Sequence, residues 1–120
     1  MAHYVDGFVL PVPTANLKAY QKLAKIAAKV WVENGALAYF EAVGDDLAPE
    51  GMPMTQFPKV VKAKPGETVV FAWVLYKSKS HRNAVLKKVM ADTRLQCDPK
   101  TMPFDMKRMA YGGFKTIVEA

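Results

Sequence analysis

Val69-Val70-Phe71-Ala72-Trp73-Val74-Leu75-Tyr76 is apolar at every position. Side chains of a strand point alternately to its two faces, so a strand with this sequence must be covered on both. The run is short for a core helix and rich in β-branched and aromatic residues, which suit a pleated surface. It reads as the central strand of a sheet, over 68–76. Pro65-Gly66-Glu67 in front of it is a turn signal. Residues 57–64 alternate well enough to read as the other arm of a hairpin.

On the N-terminal side, residues 3–10 read as a strand ended by Pro11-Val12-Pro13. Tyr4, Asp6, Phe8 and Leu10 share one face, and Val5, Gly7 and Val9 the other. Residues 15–34 carry the helical period, with Thr14 as cap. Leu17, Tyr20, Leu23, Ala24, Ala27, Val30 and Trp31 fall on one side, and Lys18, Lys22, Lys25 and Lys29 on the opposite side. Asn34-Gly35 is a left-handed stop. Residues 36–43 form a second strand, with Leu37, Tyr39, Glu41 and Val43 on one face. Residues 44–56 hold Asp45-Asp46, Pro49, Gly51 and Pro53 and read as a long loop, a kind of segment often tied to function. After the central strand, Ser78 or Ser80 caps a helix over 79–91. Residues 92–104 are irregular, and 107–118 are the last strand.

The order is strand, helix, strand, strand, helix, strand, with an extra arm. That predicts an α+β chain, a ferredoxin-like antiparallel sheet with two helices on one face, as a single domain over 1–120. The strands are apolar on both faces, so the face without helices needs a cover. A second copy, sheet on sheet, supplies it and predicts a homodimer.

The chain has 120 residues, 51% of them hydrophobic, which is enough for a packed core. No apolar run approaches the ~20 residues of a membrane span. The first residues lack the basic and apolar regions of a signal peptide. Cys97 is the single cysteine. It excludes an internal disulfide, and its loop context without basic neighbours argues against a reactive thiol. These features predict a cytoplasmic protein. The net charge of +6 allows contact with acidic partners. The lysine side of the first helix has no interleaved aromatics, and the chain has no RNA-binding signature, so nucleic acid is not the expected partner. His3, His81 and Cys97 have no metal-ligand spacing; no metal and no cofactor are expected.

The C-terminal run Met102-Pro103-Phe104-Asp105 with Lys107-Arg108-Met109 and Tyr111-Gly112-Gly113-Phe114 is distinctive. Together with Tyr4-Val5-Asp6-Gly7-Phe8-Val9 and Val70-Phe71-Ala72-Trp73 through Ser78-Lys79, it resembles the YbaA-like bacterial family of unknown function. The resemblance covers essentially the whole chain; Met106 stands where a Gly is expected after the Pro-Phe-Asp turn. It implies a dimeric α/β barrel. The wider superfamily holds cofactor-independent monooxygenases, haem-degrading enzymes and lactone isomerases, so the fold alone does not choose a function.

Asp6 is the sharpest candidate. A carboxylate amid Tyr4, Phe8 and Leu10 must be paired or protonated. Arg108 or Lys107 on the last strand is the expected partner. The pair reads either as a structural ion pair or as a base or ligand anchor. Trp73, Tyr76 and Tyr39 read as core or as walls of an apolar pocket. His81 at the start of the second helix loosely fits the His, Trp and polar set of haem-degrading relatives, with Asp6 as the polar member. The pair Gly112-Gly113 calls for a close neighbour or a bend. The expected ligand-binding residues are therefore Asp6, Trp73, Tyr76, Arg108 and Tyr111. The expected function is binding of a small, partly apolar molecule by a dimer, with cofactor-independent monooxygenase or isomerase-type chemistry as its extension. The alternatives are a non-catalytic interaction protein and an RNA-associated protein.

Overall fold

The computed structural model describes residues 2–96 and 98–120; the reading of Cys97 lies outside them. Among the described residues four strands and three α-helices follow in the order β1 (Tyr4–Pro13), α1 (Leu17–Glu33), β2 (Ala38–Val43), α2 (Phe57–Val60), β3 (Glu67–Tyr76), α3 (Lys79–Met90) and β4 (Ala110–Lys115). The sheet order is β2-β3-β1-β4 and every pairing is antiparallel. This is the ferredoxin-like arrangement that the sequence pattern predicts. No helix among the described residues is long and apolar enough to cross a membrane.

β3 and β1 pair along their full lengths, from Tyr4 opposite Tyr76 to Pro13 opposite Glu67. The doubly apolar stretch is thus central. β1 runs on through Pro11 and Pro13 instead of ending there. β4 stops opposite Val9, so beyond that point β1 is an edge on one side, where proline's missing N–H disrupts no ladder.

Residues 57–64 are not a strand. β3 already has β1 on one side and β2 on the other, so a preceding hairpin arm has no free edge to join. Pro58 sits in the first turn of α2, where its lost N–H costs nothing. The segment then turns at Lys62, which has φ 52°. The last strand begins at Ala110, not at 107, because Met106–Arg108 form a 3-10 turn capped by the Asp105 carboxylate on the Lys107 N–H at 3.0 Å.

Register divides the sheet into two unlike faces. Tyr39 and Glu41 of β2, Val70, Ala72, Val74 and Tyr76 of β3, Asp6, Phe8 and Leu10 of β1 and Tyr111 of β4 lie on the side of α1 and α3. Two packed clusters form there. Val30, Ala36, Val74, Tyr76, Val85 and Val89 make one, and Leu10, Val12, Tyr20 and Val70 the other.

The opposite face carries Val5, Val9, Phe40, Phe71, Trp73, Leu75 and Phe114, with no charged residue between Leu75 and Val69 of the central strand or opposite them. Phe40 stacks on Trp73 at 5.0 Å, Trp73 meets Phe71 at 5.5 Å, and Phe57 of α2 reaches Phe71 at 6.2 Å. Among the described residues this face stays open beyond that one-turn helix: Phe40 is 51%, Phe71 42% and Phe114 63% exposed. The chain measures 39 × 38 × 19 Å, the thickness of one sheet and one helical layer.

Candidate functional site

Between the two core clusters, α1 presents Ala24 and Ala27, and β3 presents Ala72 beneath them. A larger residue at these places would join the clusters. Alanines leave a cleft of about 250 Å³ instead. Its floor is the helix side of the sheet, with Phe8, Ala72, Tyr39 and Glu41. Its walls are α1, including Tyr20 and Trp31, and residues after α3, among them Leu95, Met102 and Phe104. Met90 and Met106, 70% and 60% exposed, stand at the rim. Methionine side chains are unbranched and polarisable and can follow the shape of different occupants.

The polar centre of this apolar space is Glu41. The Tyr20 hydroxyl donates to Oε1, and the Tyr39 hydroxyl donates to Oε2 at 2.6 Å. Burial, and then the nearby carboxylate, push both phenols far above their ordinary value. They therefore stay protonated and act as donors. The tyrosines are fixed by their own packing: Tyr20 lies edge-on to Phe104 with centroids 5.4 Å apart, and Tyr39 packs against Trp31 at 5.7 Å. Each Glu41 oxygen keeps one further lone pair for a donor. The arrangement can fix a donor group of a small apolar molecule and align its body along aromatic walls.

Asp6 lies outside this cleft and is fully buried. Its partner is not Arg108 or Lys107. Arg82, from the first turns of α3, reaches down to Oδ1 at 3.2 Å. The Tyr111 hydroxyl also meets Oδ1 at 3.2 Å, and the Tyr76 hydroxyl donates to Oδ2 at 3.0 Å. Arg82 further donates to the Tyr111 oxygen at 2.6 Å and lies over the Tyr4 ring, 5.0 Å from its centroid. Burial works against the guanidinium charge, but Asp6, Tyr111 and Tyr4 outweigh it and hold Arg82 above its ordinary value. The Trp31 indole N–H donates to the Tyr76 oxygen at 2.9 Å. One wall of the cleft is thereby tied to the Asp6 cluster.

The other expected site residues scatter. Tyr76 and Tyr111 belong to the Asp6 cluster. Trp73 faces the open side of the sheet, away from Asp6 and from His81, so the His, Trp and acid set is not assembled. His81 instead serves the start of α3: its N–H donates to Ser78 Oγ at 3.1 Å and its Nδ1 accepts from the Lys77 N–H at 2.9 Å. Arg108 is committed to both Glu67 oxygens at 2.6 and 2.8 Å and to the Lys62 carbonyl at 2.9 Å. Among the described residues no group of three His, Cys, Asp or Glu is placed to hold a metal ion.

The Gly112-Gly113 pair has a local reason. Neither glycine has a positive φ. A Cβ on Gly113 would run into the Tyr4 ring, with Cε2 at 2.7 Å, whereas one on Gly112 would meet Phe114 at 3.6 Å. Gly113 clears the space in which Tyr4 lies under Arg82.

Glu41 is the residue that sequence reading passed over. The signal was there: an acid two positions from Tyr39 on the core side of a strand, the same argument that singled out Asp6.

Residues 3–106 match the family described as "Protein of unknown function (DUF1428)". Proteins named "Uncharacterized protein YbaA" from Escherichia coli strain K12, Escherichia coli O157:H7 and Shigella flexneri are each 45% identical over 116 residues, which cover 97% of this chain and 97% of theirs. The chain belongs to the DUF1428 family.

Proposed function

We propose that this member of the DUF1428 family is a homodimer in which each protomer binds a small, partly apolar molecule in the cleft between α1 and the sheet. The observation that carries the reading is a 250 Å³ apolar cleft with one fixed polar anchor, Glu41. Ligand sites are concave, mostly apolar and hold few, well-placed polar groups. At a liquid-like ~30 Å³ per water, the space suits a molecule of on the order of ten heavy atoms. The partner chain is inferred from the open sheet face, where the half-exposed Phe40, Phe71 and Phe114 join one apolar surface of the kind that marks interaction sites.

Glu41 is placed to bind a ligand rather than to react with it. Isomerase or monooxygenase chemistry would ask Glu41 to act on a ligand atom, and both of its oxygens already hold tyrosine hydroxyls, which makes it an anchor. The test uses the two tryptophans of the chain, of which Trp31 lines the cleft and Trp73 does not. In Trp73→Phe, Trp31 fluorescence should respond saturably to neutral one-ring molecules such as benzyl alcohol or cyclohexanol. Adding Ala27→Phe fills the cleft and should abolish the response. Equal binding with and without Ala27→Phe, or no saturable response to neutral or charged probes, overturns the reading.

A further inference from the structure

The cleft runs against the charge of the chain. The protein has 17 Lys and Arg against 11 Asp and Glu, yet the two charged residues lining the cleft are both acids, Glu41 and Asp92. Asp92 is satisfied. Arg94 donates to its Oδ1 at 2.9 and 3.0 Å and to Oδ2 at 2.7 Å, and these bonds hold its carboxyl down at about 2. Glu41 is different. Among the described residues it forms no ion pair, and its two donors are neutral phenols.

A carboxylate in apolar surroundings is stabilised most by a cation with an N–H to donate. The walls favour the same guest. Trp31, Tyr39, Tyr20, Phe104 and Phe8 surround the space, and aromatic rings attract ammonium groups at close range. The lysines of α1 are exposed on the far side of that helix. At physiological salt their field is screened within ~8 Å.

Resting on the binding reading above, we propose that the ligand is an apolar monocation: a primary or methylated ammonium group on a compact aromatic or hydrocarbon body. The ammonium sits against Glu41 and the body lies along the alanine-lined groove under the methionine rim. An anionic ligand would face the Glu41 carboxylate, which has no cation beside it among the described residues, and is disfavoured.

Three probes of one shape and three charges test this: benzylamine, benzyl alcohol and benzoate, titrated against Trp73→Phe by Trp31 fluorescence and against the unmodified chain by calorimetry. Benzylamine should bind at least tenfold more tightly than benzyl alcohol, with benzoate weakest. Glu41→Gln should remove the advantage, leaving amine and alcohol alike. If the alcohol binds as well as the amine in the unmodified chain, or if the amine keeps its affinity in Glu41→Gln, the cation proposal is wrong while the cleft remains a binding site. If none of the three binds, the binding reading falls and takes this proposal with it. Should Glu41→Gln not fold, the charge series in the unmodified chain decides alone.

Discussion

Asp6→Ala should be among the most damaging single substitutions in this chain. The carboxylate is fully buried and its partner's side chain is 13% exposed. Removing it strands the Arg82 guanidinium and takes the acceptor from the Tyr76 and Tyr111 hydroxyls. Breaking a buried pair by deleting one member costs ~3–5 kcal/mol, because a charge stays behind unpaired. For a chain of this size about 4 °C of melting temperature accompanies each kcal/mol, so thermal unfolding should occur roughly 12–20 °C lower. Circular dichroism against temperature and urea measures both. The double variant Asp6→Ala/Arg82→Met removes the stranded charge along with its partner. It should recover part of the loss, with a coupling of ~2 kcal/mol or more between the positions. A single-variant loss below ~1 kcal/mol, or a double variant no better than the sum of the singles, would refute the account of Asp6 as a structural ion pair.

Gly113→Ala should destabilise by ~1–3 kcal/mol, since its Cβ overlaps the Tyr4 ring, while Gly112→Ala, whose Cβ finds ordinary contact distance, should change the melting temperature little; equal effects would contradict the packing explanation. Phe71→Lys places a charge at the middle of the open aromatic row and should convert the dimer to a folded monomer by light scattering, whereas a monomeric unmodified chain at micromolar concentration would remove the dimer from the proposal.

Much of the fold is legible because its strongest elements state their own period. The helix expected at 15–34 is α1 at Leu17–Glu33, and the stretch expected at 68–76 is β3 at Glu67–Tyr76. Residues 57–64 misled because alternation is a local signal and strand pairing is not. Their pattern satisfies a pleat, but β3 has no unoccupied edge, a fact set by the strand order and invisible within the segment. The overlong final strand failed for a similar reason. Asp105 can bond its own backbone two residues on, and that local bond competes with the ladder.

The site was legible in kind but not in partner. A core-facing acid announces that it needs compensation, and both Asp6 and Glu41 do so. What the sequence does not carry is which donor arrives from another element. Arg82 is 76 positions from Asp6, and it prevails over Arg108 because its side chain reaches Asp6 from α3 on the helix side of the sheet while Arg108 turns to Glu67. The two acids then diverge through their company. Asp6 receives a guanidinium and is sealed into the structure. Among the described residues Glu41 receives only tyrosines, beside a groove that alanines keep open. That difference, full compensation at one acid and partial compensation at the other, is what moves the candidate site from the residue the sequence favoured to the one it passed over.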